Sequence, residues 1–161
     1  MATQADAKEL FYTISPSVSS GLGDNPRPID EVLRIHLLTE AILEQLIGLA
    51  LNENAEAVLT SKLSYAQKLS ICSKLKFKDG TDILSSDVKG SLKKLNLLRN
   101  EVAHDINHET SGENVESLFV GQLGKNRVGL AANGSAWDKL SSYKAMIYIV
   151  MLNPDMLKNE K

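Results

Sequence analysis

Between Pro28 and Asn52, apolar residues recur at steps of three and four, with Ile35, Leu38, Ile42, Leu46 and Leu49 on one stripe, the period of an α-helix. Leu33, Leu37, Ala41, Ile47 and Leu51 widen the stripe until most of the circumference is apolar. Such a helix must be covered on several sides, so the rest of the chain has to supply other helices around it. Asp30 and Glu31, just after Pro28, suit the positive end of the helix dipole. At 161 residues the chain fits a single domain with one sizeable core.

The covering helices are legible downstream. Residues 53–77 carry Leu63, Ala66, Leu69, Ile71 and Leu75 at helical spacing, with a break expected near Thr60-Ser61 and a turn at Asp79-Gly80-Thr81. Ser85-Ser86-Asp87 offers N-cap chemistry for a helix through Val88, Leu92, Leu95, Leu98 and Val102, ending between His104 and Asn107. Ser111-Gly112-Glu113 opens a shorter helix through Leu123, residues 124–134 read as a loop, and Trp137, Leu140, Tyr143, Ile147 and Val150 give a last helix stopped by Pro154. No stretch alternates in the manner of a strand. These features predict an all-α fold, an antiparallel bundle of four to five helices over residues 29–153. Residues 1–28, rich in Ser, Thr, Gly and Pro, read as an N-terminal arm with Leu10-Phe11-Tyr12 as a docking patch, and residues 154–161 as a C-terminal tail.

Charge and cysteine usage narrow the class. The formal net charge is −2, which argues against a dedicated DNA-binding domain. From Lys62 to Arg99, however, nine Lys/Arg face three Asp, a local balance of +6 against −8 elsewhere, so this stretch reads either as solvated helix faces or as a place to meet an anion. A lone cysteine, Cys72, cannot form an internal disulfide and fits a reducing, cytoplasmic setting. No window approaches the roughly 18 consecutive apolar residues of a membrane helix.

Polar residues that interrupt the apolar stripes mark the candidate site. His36, Glu40 and Glu44 stack at i, i+4 and i+8 on the central helix and call for a polar counterpart. The later segment Arg99-Asn100-Glu101-Val102-Ala103-His104 puts Asn100 and His104 on one face, with Arg99 one step round at the edge of the apolar stripe. Arginine presents a planar fork to phosphate oxygens, and histidine exchanges a proton near neutral pH. Together they can neutralise charge at a phosphodiester and move a proton at a ribose hydroxyl or leaving oxygen. The same residues also fit a structural reading, in which Arg99 pairs with Glu40 or Glu44 and His104 stands as a cation at a helix C-terminus. The spacings His104-x3-His108 and His36-x3-Glu40-x3-Glu44 permit a shared metal, but the second is better read as the counterpart of Arg99, and no metal or cofactor is expected. Trp137, Tyr143 and Tyr148 are read as core rather than as a base-stacking platform.

The pattern Arg99-Asn100-x3-His104, with His36-Leu37-Leu38-Thr39-Glu40 upstream, resembles the HEPN superfamily of α-helical domains. That resemblance implies a bundle that forms a homodimer, so that two Arg…His pairs share one cleft, and a metal-independent endoribonuclease acting on RNA, in several members a toxin or defence effector with an antitoxin partner. Carried over, Arg99 would bind the scissile phosphate, His104 would act as general acid or base, and Asn100 would orient one of them. Leu37-Leu38-Thr39-Glu40-Ala41-Ile42 and Leu97-Leu98-Arg99-Asn100-Glu101-Val102-Ala103-His104-Asp105 are also similar to the mannitol operon repressor family of helical regulators. Because no basic recognition helix is present, that resemblance implies regulation through a protein partner.

Overall fold

The computed structural model describes residues 2–19, 27–105, 107–125 and 134–153, with the side chains of residues 11 and 14–19 excepted. Among them the chain forms α1 (Gln4–Ser19), α2 (Pro28–Leu51), α3 (Ala55–Leu59), α4 (Tyr65–Cys72), α5 (Ser86–His104), α6 (Gly112–Glu116), α7 (Gln122–Lys125) and α8 (Ala136–Leu152). The fold is all-α, with one isolated bridge between Lys76 and Asp82 among the described residues.

As its pattern requires, α2 is central and packs against α1, α4, α5 and α8. Ile35, Ile42, Leu43, Leu46 and Ile47 are fully buried there, against Leu92 and Leu95 of α5 and Leu140 and Ile147 of α8. Pro28 occupies the first turn, where its missing N–H costs nothing. Ser85 caps α5 by accepting from Val88 N at 3.3 Å, and Ser135 with Asp138 forms a capping box on α8. Tyr143 and Tyr148 lie in the core as the sequence predicts, whereas Trp137 is half-buried.

Three elements differ from the sequence reading. Residues 4–19, expected as part of an arm, form α1, which packs on α8 and α2. Its start is set by Thr3 and Asp6: Thr3 N and Oγ1 donate to the Asp6 carboxylate at 2.7 and 2.8 Å, and Asp6 N donates back to Thr3 Oγ1. The helical stretch expected to reach Phe77 stops at Cys72, because Phe77 is buried from a loop instead, tied by its N–H to Thr81 O around Gly80 at φ +84°. The helix expected from Ser111 to Leu123 is split into α6 and α7 at Gly121, φ +53°. A Cβ at Gly121 would stand 2.5 Å from the Asp87 carboxylate, which accepts the Gln122 N–H at 2.9 Å, so the close approach requires glycine. Of the expected 124–134 loop, residues 126–133 lie outside the described residues, as does the 154–161 tail.

Candidate functional site

Three helices meet at the site. From α2 come His36, Thr39 and Glu40; from α4, Tyr65 and Lys68; from α5, Asn96, Arg99 and Asn100, which share a face at i, i+3 and i+4. The floor is a buried polar network. The Tyr65 ring stacks on His36 with centroids 4.1 Å apart and planes 26° off parallel. Thr39 Oγ1 gives its only hydrogen to His36 O at 3.0 Å, so the 2.9 Å contact with Tyr65 is donated by the phenol. Burial raises the Tyr65 pKa, which keeps that proton in place. His36 Nε2 donates to Asn96 Oδ1 at 3.0 Å. Burial, helped by the Arg99 and Lys68 charges, holds His36 below its usual pKa against the opposing effects of Asn96 and Glu40. His36 is thus a neutral, positioned ring.

The counterpart of the Glu40 and Glu44 row is Lys68, not Arg99. Lys68 Nζ stands 2.6 Å from Oε1 of each glutamate, and its side chain is 9% exposed. Desolvation lowers its pKa, and the hydrogen bonds and charges of the two glutamates outweigh that and raise it. The residue-level reason is register. Lys68 sits one helical turn from Tyr65 and Cys72, both buried, so an ammonium there is carried inward with the apolar face of α4 and needs anions.

Arg99 is consequently left without an ion pair among the described residues, and its recorded bond is Nη1 to Asn100 Oδ1 at 3.1 Å. Half-buried, it lines an open cleft of about 270 Å³ with His36, Glu40, Ser64, Asn96 and Asn100. Four of the six residues singled out in the sequence thus meet in one cleft. The other two do not: Glu44 is held on Lys68, and His104 is exposed at the last position of α5, outside the cleft. His104 lies five positions after Arg99, about 7.5 Å of rise and about 140° of rotation, so within one chain the two side chains face different ways.

Sequence reasoning missed Lys68, Tyr65, Thr39 and Asn96. A lysine within the apolar period of α4 was the available signal for the first. For Asn96 the signal was its place in the Arg99 and Asn100 row. Among the described residues no group of three or more His, Cys, Asp or Glu is placed to hold a metal, and His108 lies beyond the end of α5 in a turn closed by its N–H on Asp105 O. Cys72 is buried and donates to Leu43 O, with burial pushing its thiol up to about 12. Also among the described residues, no helix is long and apolar enough to cross a membrane. Compared with family models, with curated proteins and with solved structures, the chain matches none.

Proposed function

We propose that the chain is a metal-independent endoribonuclease of HEPN type that works as a homodimer, with Arg99 binding the scissile phosphate and His104 moving the proton. One observation carries this reading: Lys68 takes both glutamates, and Arg99, in an open cleft, has no ion pair among the described residues. An arginine in that state is a receptor for a phosphate. In the reaction a ribose 2′-oxygen attacks the adjacent phosphorus, the bond to the 5′-oxygen breaks, and a 2′,3′-cyclic phosphate and a 5′-hydroxyl result. Arg99 neutralises charge on the non-bridging oxygens, Asn100 holds the guanidinium through its Oδ1, and a histidine takes the 2′ proton or supplies the 5′ one. Since His104 points away from its own Arg99, that histidine comes from the second copy.

Purified protein is expected to cut single-stranded RNA in EDTA, and Arg99→Ala and His104→Ala each to abolish cutting. Both variants should keep wild-type helical circular dichroism and melting temperature, because neither residue holds a carboxylate. An equal mixture of the two variants restores part of the activity, since one of the two composite sites in a mixed dimer is intact. Absence of cleavage across diverse RNAs would sink the proposal.

A second reading, a non-catalytic regulatory module acting through a protein partner, draws on the exposed Leu37 and Leu97, at 66% and 61%. It predicts that no RNA is cut and that Leu37→Glu weakens capture of the partner.

A further inference from the structure

Beside the Arg99 cleft, a second cavity of about 330 Å³ opens between α4 and α5. The second cavity shares Tyr65, Ala66 and Asn96 with the cleft in its lining, so it lies directly beside it. Its floor is apolar, made by the buried Leu69 and Tyr65 and flanked by the exposed Leu97. Its rim is basic, with Lys89 and Lys93, and no carboxylate lines it. Along α5, Lys89, Lys93, Asn96 and Asn100 recur at i, i+4, i+7 and i+11, a track of about 16 Å. The formal charges of Glu40, Glu44, Lys68 and Arg99 sum to zero, so Lys89 and Lys93 set the sign at the cavity.

Those features select the occupant. The cavity sits at the low end of ligand-pocket volumes, about 300–1,000 Å³, a size for one flat ring system. An amphipathic peptide helix needs a longer apolar trough with anchors at i, i+3, i+4 and i+7, and here Leu97 is the one large exposed apolar side chain lining the cavity. An apolar slot next to a row of cations is the arrangement that holds single-stranded nucleic acid, a base in the slot and phosphates on the rim. Asn96 Oδ1 accepts from His36 Nε2, which leaves the Asn96 amide hydrogens for a base.

We infer that the α4/α5 cavity is a base-binding subsite for single-stranded RNA, seating one nucleobase against Leu69 and Leu97 so that its phosphates meet Lys93 on one side and Arg99 on the other. The inference rests on RNA being the ligand of the Arg99 cleft. It is tested by anisotropy of a short fluorescein-labelled 2′-O-methyl RNA, which cannot be cut, with wild-type protein and with Ser70→Phe and Ser70→Trp. Ser70 is exposed and lines this cavity but not the Arg99 cleft, so the added rings fill the cavity without entering the core. Affinity is expected to fall about tenfold in each, and Lys93→Glu to weaken binding and flatten its salt dependence. Unchanged affinity in both filled variants overturns the subsite, as does binding of an acidic leucine-rich peptide where the RNA fails to bind. RNA held in the cavity yet never cut in its unmodified form removes the nuclease and keeps the subsite. Unmodified RNA cut at wild-type rate by both filled variants does the reverse.

Discussion

Lys68 decides the chemistry of the site although it is not in the cleft. It holds Glu40 and Glu44, the carboxylates that the sequence pattern offers to Arg99, at 2.6 Å, and it does so from a side chain 9% exposed, where unpaired charge is costly. His36 is the second residue whose state follows from its surroundings. Burial depresses its pKa, so the unfolded imidazole takes up a proton near 6.5 while the folded one resists it to lower pH. Its contribution to stability is therefore complete above about pH 6.5 and is lost as pH falls through the depressed folded value. Thermal melts from about pH 7.5 to about pH 5 are expected to show a falling melting temperature. In His36→Gln, which keeps a donor for Asn96 Oδ1, the fall should be shallower. An identical slope in the variant would mean that His36 is not the group titrating.

At the scale of elements, α5 links site and core on opposite faces. Toward the cleft it presents Asn96, Arg99 and Asn100; on the other side Ser91, fully buried, ties it to the α6–α7 segment and to α8. Ser91 Oγ donates to Leu118 O at 2.7 Å and therefore accepts from Tyr143 Oη at 2.7 Å. Ser91→Ala orphans both partners in the interior and should cost about 2–3 kcal/mol in urea unfolding. Tyr143→Phe leaves the Leu118 bond intact, with an expected cost of about 1 kcal/mol. If Tyr143→Phe proves the more damaging, the Leu118 bond does not carry the junction. The helix start at Ser85 was readable because capping is local chemistry. Thr3-x-x-Asp6, which starts α1, belongs to the same class of signal, and it was overshadowed by the Ser/Pro-rich composition of the residues that follow it.

For the whole molecule, the proposed nuclease needs two copies to complete its site. Arg99 lines the cleft and His104 lies outside it on the same helix, and Leu37 of α2 is 66% exposed. If two copies meet over these helices, light scattering gives the mass of two chains for the wild type and of one for Leu37→Glu. That variant should lose cleavage and keep RNA binding, since the cavity belongs to one protomer. A monomeric wild type that still cuts RNA would require His104 to be dispensable.

The sequence by itself determined the fold class, the central place of α2, the limits of α5 and α8, and the gathering of His36, Glu40, Arg99 and Asn100 in one region. Periodicity and end-capping depend on neighbours within a turn or two, so a linear string records them. Which cation met Glu40 and Glu44 was decided only in three dimensions. Lys68 and Arg99 lie on different helices, and the sequence holds no measure of which reaches α2 first. The same reason applies to the cavity beneath Leu97 and to the outward turn of His104. Both depend on how α4 and α5 seat against each other, a property of packing between helices rather than of pattern within one.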